Sequence, residues 1–306
     1  MDDDGWTLEP DSRPTIGVID VEPATASPTH DDSGSDPTSL VHTALENADS
    51  WERPGSDVEL VSGAPDAVLA ADPTVVVTVG DSALTAMARA ADDATSPVLP
   101  VDTSPGVSPV AAGELGRAFD ALTAEETTVK AHPLLSVSID TDVIDTGSSD
   151  AGSADTGSSD AESSEETRIH ALFDVSLVTA EAARISEYGV TSRGRQIAQF
   201  RADGVVTATP AGSHGYASAA DGPSLSGAIS GLPVVPIAPF VTRTRHWVLP
   251  NDDLSLSVER EGDDVTLCVD DQVIGTLEAH SSVRIEVDST VQFVTLETPV
   301  SRDPFA

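Results

Sequence analysis

Two short stretches of this 306-residue chain hold residue types that suit phosphate and nucleotide chemistry. The first is Thr78-Val79-Gly80-Asp81-Ser82-Ala83-Leu84, at the end of a β-branched run that starts at Thr74. A strand that ends in a tight turn and opens a helix is a place where phosphates bind, because the first backbone N–H groups of the helix point outward and favour anions. The small residues Gly80, Ser82 and Ala83 allow a close approach, and Ser82 is placed to cap a helix over 83–91. Many α/β domains carry a small-residue turn there, so this stretch alone does not choose a ligand. The second stretch is Asp203-Gly204-Val205-Val206-Thr207-Ala208-Thr209-Pro210-Ala211-Gly212-Ser213-His214-Gly215-Tyr216, continuing to Pro223. A short strand runs into a polar turn that begins a helix, with one aromatic ring. Hydroxyls, free N–H groups and a tyrosine suit the ribose and base of a nucleotide. The plainer alternative is a Gly-rich connection between two strands.

The elements that must position these stretches divide into two kinds. Strands are expected over 15–20, 57–61, 74–79 and 98–102, alternating with helices over 38–48, 65–70, 83–91 and 113–122. Strands alternating with helices imply a doubly wound parallel sheet. After about residue 124 the period changes to two, over 134–139, 172–178, 196–201, 205–208, 254–258, 265–269, 283–287 and 291–296. Many short strands with turn signals between them imply a mostly β, sandwich-like domain. The expected organisation is a disordered tail over 1–13, an α/β domain over 14–124 and a β-rich domain over 125–300. Within the latter, Asp145-Thr146-Gly147-Ser148-Ser149-Asp150-Ala151 recurs as Asp155-Thr156-Gly157-Ser158-Ser159-Asp160-Ala161. The segment 145–166 has too little apolar surface to order itself and reads as a disordered acidic insertion. A calcium-binding repeat is the sharper alternative, but two units with no recurring apolar position cannot build a coil.

Composition bounds the rest. The chain carries 52 Asp and Glu against 15 Lys and Arg, a formal charge of -37, and Lys130 is its one lysine. Such a surface repels nucleic acid and anionic membranes. The acids are spread along well-patterned strands, which points to adaptation to molar salt, where the Debye length falls to about 3 Å and self-repulsion is screened. No apolar run reaches the roughly 18 residues that span a bilayer, and the acidic start lacks the pattern of a secretory signal. A cytoplasmic protein is expected. The single cysteine, Cys268, excludes a disulfide or a cysteine zinc cluster and reads as a buried strand residue. No histidine spacing argues for a metal, and no metal ligand is assigned. Arg243, Arg245 and His246 form the one basic cluster, read either as local ion pairs or as an anion contact.

Residues Asp203 to Pro223 resemble the NAD kinase signature GDGxxxSTPTGSTAYxxSAGGP, matching at Asp203, Gly204, Thr209, Pro210, Gly212, Ser213, Tyr216, Gly222 and Pro223. The turn Val79-Gly80-Asp81-Ser82 sits where that family has GGDG. The pair Phe173-Asp174 sits where it has Asn-Glu, and Val269-Asp270-Asp271-Gln272 is similar to its late V-D-G-Q hairpin. The resemblance implies transfer of the terminal phosphate of ATP or polyphosphate to the 2′-hydroxyl of the adenosine ribose of NAD. It implies that Asp81 accepts or orients that hydroxyl's proton, that Gly80 and Ser82 hold phosphate, and that magnesium neutralises the phosphates. Asp174, Asp203, Thr209, Gly212, Ser213, His214, Gly215 and Tyr216 would hold NAD. It also implies a homo-oligomer, a dimer or tetramer. The departures from the signature add Cβ atoms at Val79 and Ser82, where a phosphate approaches backbone, and replace Thr-Ala by His214-Gly215. Two readings follow: an active NAD kinase with an altered loop, and a kinase-like protein that binds a dinucleotide without transferring phosphate.

Overall fold

The computed structural model describes residues 14–21, 36–48, 58–91, 96–124, 126–140, 144–145, 166–181, 184–241, 245–260 and 264–296. The tail over 1–13 and nearly all of the repeat segment lie outside these. The chain divides into two compact units, Met1–Leu134 with Ser289–Ala306, and Leu135–Asp288.

In chain order, the first unit contains β1 (Thr15–Ile19), α1 (Pro37–Glu46), β2 (Glu59–Gly63), α2 (Pro65–Leu69), β3 (Val75–Val79), α3 (Gly80–Ala90), β4 (Val98–Val101) and α4 (Leu115–Thr123). The long β5 (Thr127–Asp140) follows. β1 pairs in parallel with both β2 and β3, and β3 pairs in parallel with β4. Along β1 the side chains alternate. Ile16 and Val18 join Val41, Val77, Leu99, Leu115 and Phe119 in one core. Gly17 faces the other way, where a Cβ would press on Val68 of α2 and lie 3.2 Å from Pro73. Both faces are therefore covered, and the strands read as continuous apolar runs, as parallel sheets require. Asp36 starts α1 by accepting the Ser39 N–H at 2.9 Å.

His132 of β5 packs edge-on against Phe293, ring centroids 5.0 Å apart. Burial, with Lys130 second, holds its imidazole down at about 4. The folded state thus binds a proton on this ring less readily than the unfolded chain does. Stability from this group is present above about pH 6.5 and is lost as pH falls toward 4, at a cost of about 2–3 kcal/mol. His132→Leu is expected to flatten that part of a stability-versus-pH curve, measured by denaturant unfolding at fixed salt; an unchanged curve would show that the ring is not the source.

The second unit is built from β6 (Ile144–Asp145), β7 (Glu166–Ala171), β8 (Asp174–Thr179), β9 (Ser186–Ser192), β10 (Arg195–Ala202), β11 (Gly204–Ala208) and α5 (Tyr216–Ala219). It continues with β12 (Leu232–Ile237), β13 (Trp247–Leu249), β14 (Leu254–Val258), β15 (Val265–Val269), β16 (Gln272–Leu277) and the start of β17 (Ser282–Leu296). One antiparallel sheet has the order β13-β12-β11-β8-β15-β16-β6, and β10, β9, β14 and β17 are neighbours in a second sheet. Period-two alternation sends Val175, Leu177, Val205, Val234, Leu267 and Val269 of the first sheet into a core shared with Tyr188, Val190, Leu254, Leu256, Val283 and Ile285. Each such side chain contributes roughly 1.5–3 kcal/mol through burial. The opposite face of the first sheet carries a smaller cluster of Val206, Ala208, Ala217 and Val235. This is the sandwich-like β architecture expected from the sequence, beside the expected parallel α/β sheet.

Two local expectations are corrected. Ser82 does not cap a helix, because α3 already begins at Gly80 and has no side-chain cap. The segments 283–287 and 291–296 are one strand, β17, which runs through the polar triplet Asp288-Ser289-Thr290. Among the described residues no helix is long and apolar enough to cross a membrane.

Candidate functional site

In the first unit the turn after β3 is shaped by Gly80, whose φ of +79 is the left-handed region that favours glycine. No atom lies within 4 Å of where its Cβ would stand, so the requirement is conformational rather than steric. Val79, at the position of the family's first glycine, has φ −111, ordinary extended backbone that a Cβ tolerates. The exposed Asp81 is tied to the loop after β4. Its Oδ1 accepts the Ser104 N–H at 2.7 Å and its Oδ2 accepts the Ser104 hydroxyl at 2.6 Å. Asp102 fixes the far end of that loop by accepting the Ala112 N–H at 3.0 Å. The result is an exposed carboxylate, fixed in place with lone pairs to spare, beside uncapped helix N–H groups and the exposed Ser82.

In the second unit the turn after β11 is stapled to the segment that begins β8. The Thr209 N–H donates to the Phe173 carbonyl at 2.8 Å, and the Thr209 hydroxyl donates to the Leu172 carbonyl at 2.6 Å. The same hydroxyl oxygen accepts the Gly212 N–H at 3.1 Å. Gly212 presses on the Phe173 carbonyl so closely that a Cβ would overlap it. Ser213 is buried, donating to the Pro210 carbonyl at 2.7 Å and accepting the Leu225 N–H at 2.9 Å. The chain then passes the exposed Gly215 into α5, where Ala217 packs on the outer face of the sheet. A Cβ at Gly222 would meet the Ala217 carbonyl at 2.6 Å, which explains the glycine that follows α5.

This turn gathers several of the expected residues. Asp174 is 9% exposed. A Cβ at Gly215 would stand 3.9 Å from its Oδ2. Burial first, then the charge of Asp270, push the Asp174 carboxyl up to about 7. Tyr216, 41% exposed, has its phenol raised by burial and by the nearby Cys268, Asp174 and Asp203. Asp203 stands at the opposite end of β11 from Thr209, its backbone carbonyl accepting the Thr179 N–H at 2.9 Å. It is linked to the cluster through its charge on Tyr216. His214 is half-buried on the turn itself. Cys268 lies half-buried on the outer face, hydrogen-bonded to Ser176, rather than in the core as expected.

Sequence reasoning missed two residues. Ser104, which anchors Asp81, carries no signal beyond its place after a strand end. Asp270 lay within the hairpin already singled out, and an acid at a two-residue turn was the available clue.

Comparison with known proteins bears on the second unit above all. A profile of the ATP-NAD kinase C-terminal domain matches residues 172–296. The NAD kinase of Methanosarcina barkeri (strain Fusaro / DSM 804) is 32% identical over 120 residues, 39% of this chain and 41% of that protein. The NAD kinase of Acidobacterium capsulatum is 39% identical over 103 residues, 33% of this chain and 36% of its own. The matched region thus spans about two fifths of the length of these curated relatives. Among solved structures, yeast NADH kinase complexed with NADH has a TM-score of 0.68 at 16% identity, covering 95% of this chain and 86% of that one. An NAD kinase from Archaeoglobus fulgidus in complex with ATP has a TM-score of 0.64 at 16% identity, covering 93% and 94%. The signature stapled onto the start of β8 thus lies in a region that resembles the ATP-NAD kinase C-terminal domain, on a chain that shares the fold of the solved NAD and NADH kinases.

Proposed function

We propose that this protein transfers the terminal phosphate of ATP, or of polyphosphate, to the 2′-hydroxyl of the adenosine ribose of NAD. The observation that carries this reading is the stapling of the Thr209–Ser213 turn onto Leu172 and Phe173, which places a nearly buried carboxyl, Asp174, beside Gly215. A carboxylate in that position accepts hydrogen bonds from ribose hydroxyls, and the half-exposed ring of Tyr216 offers a stacking face for a base. Thr209, Gly212 and Ser213 shape the turn from within, while His214, Gly215 and Tyr216 present its outward side. Asp203, at the start of the same signature, is assigned to the NAD side of the site. In the first unit the α3 N-terminus at Gly80 and Ser82 takes phosphate oxygens, and Asp81 takes or orients the proton of the attacking hydroxyl.

The name of the Archaeoglobus protein's ligand, ATP, and that of the yeast enzyme's, NADH, support nucleotide substrates here. Among the described residues no group of three or more His, Cys, Asp or Glu could hold a metal ion. Magnesium, when bound, would neutralise the phosphates of the donor. The acidic surface supports function in a salt-rich cytoplasm, and a homo-oligomer is the proposed assembly.

The test is NADP formation by the purified chain in molar KCl, with ATP and with polyphosphate as separate donors. NADP from at least one donor is the expected result. Measurable NAD binding with no NADP from either would overturn the transferase reading in favour of a ligand-binding protein.

A further inference from the structure

The turn between β15 and β16 holds an unusual arrangement. Asp270 adopts φ +51, the left-handed region that a side chain with a Cβ enters at a cost of roughly 1 kcal/mol. Its carboxylate reaches back to a segment almost one hundred residues earlier. Oδ2 accepts the Leu172 N–H at 2.9 Å, while Oδ1 accepts the Phe173 N–H at 2.7 Å and the Asp174 N–H at 3.0 Å. The Asp270 N–H donates in turn to the Asp174 carbonyl at 2.9 Å. The β15–β16 register also shifts between Leu267 and Cys268, next to this turn. A two-residue turn needs none of this from its side chain, and glycine or asparagine would adopt the backbone angle with less strain. The three charge-assisted bonds account for an aspartate here.

We propose that Asp270 is a positioning residue for the acceptor site: its carboxylate clamps the backbone of Leu172–Asp174 so that the Asp174 side chain meets the ribose of the bound nucleotide. This rests on the reading of Asp174 as the ribose-binding group. The Thr209 turn grips two of the same three residues, at the Leu172 and Phe173 carbonyls. Asp270 thereby takes the three N–H groups of this short segment and the Asp174 carbonyl, and Thr209 takes the Leu172 and Phe173 carbonyls. The segment has little freedom left, which is what a site needs to hold a ligand group within fractions of an ångström.

The clamp has an electrostatic consequence. A fixed negative charge stands beside Asp174 and disfavours its ionised form, adding to burial. The groups that face Asp174 are Asp270 from the β15–β16 turn, Cys268 from β15 and Tyr216 from α5. Both the thiol and the phenol are raised and stay uncharged at neutral pH. His214 adjoins Gly215 on the same turn.

The experiment compares wild type, Asp270→Asn, Asp270→Ala and Asp174→Asn for NAD affinity between pH 5 and 9, thermal stability, and the Asp174 carboxyl titration followed by carbon-13 NMR without NAD. Asp270→Asn keeps an oxygen for the Phe173 and Asp174 N–H groups but loses the charge, so the Asp174 titration and the acid limb of NAD binding are expected to move to lower pH. Asp270→Ala is expected to weaken NAD binding at least about tenfold. Asp174→Asn should remove the acid limb. An unshifted Asp174 titration in Asp270→Asn, or wild-type NAD affinity in Asp270→Ala with only the melting temperature lowered, would overturn the proposal. A shifted titration in a chain that fails to bind NAD at any pH would sink the ribose reading itself while upholding the grip of Asp270 on Asp174.

Discussion

Replacing Asp81 by asparagine is expected to lower the rate of NADP formation about a hundredfold or more while leaving the melting temperature nearly unchanged. The two partners of Asp81 make this a clean comparison. Asparagine Oδ1 can still accept the Ser104 N–H, and the new amide can donate to the Ser104 hydroxyl, which turns to accept it. Geometry is retained, and the lost quantity is the negative charge proposed to take or orient the hydroxyl proton. Rates measured in molar KCl at saturating NAD and donor, beside a thermal melt of the same sample, separate the two roles. An asparagine variant as fast as the wild type would reduce Asp81 to a strut for the loop at Ser104.

The second large effect belongs to Gly212→Ala. The position is buried, and a Cβ there runs into the Phe173 backbone, which cannot yield as a flexible side chain would. Either the turn lifts off or the start of β8 shifts, breaking the bonds from Thr209 to Leu172 and Phe173. The expected cost is about 2–4 kcal/mol. For a unit the size of Leu135–Asp288 this lowers the melting temperature by roughly 5–15 °C. NAD affinity should fall with it, since Asp174 directly follows the displaced residue. Calorimetric titration with NAD and a thermal scan suffice. Unaltered values in both would mean that the turn does not bear on β8 as described.

How far the sequence reveals this protein depends on where each decisive interaction lies along the chain. Strands whose alternation is local were legible: β14 and β15 begin and end where the pattern over 254–258 and 265–269 placed them. β17 was read as two strands because Asp288-Ser289-Thr290 looks like a turn. Yet Val283, Ile285, Val291 and Phe293 keep one phase through it, and tertiary burial of that face outweighs the polar triplet. The start of α3 was misplaced because the left-handed Gly80 lets the helix begin before Ser82 can cap it. The site shows the same division. Thr209, Gly212 and Tyr216 were visible because their order in one short segment is itself a signal. Ser104 and Asp270 act 23 and 96–98 residues away from their partners; nothing local marks Ser104, and the turn that holds Asp270 does not show which distant backbone its carboxylate meets.

The course of β17 has a consequence for biosynthesis. This strand closes on β4 through Phe293 and Val98, so the flank of β4 stays open until the ribosome has passed Phe293. At 5–20 residues per second the outer flank of β4 waits on the order of 10–40 s for its neighbour. An apolar strand edge left open for that long invites pairing with other nascent chains. The carboxylates spread along the polypeptide repel such encounters only weakly when salt is high. A chaperone that shields β4 during translation would therefore raise the yield of native protein more than one acting after release.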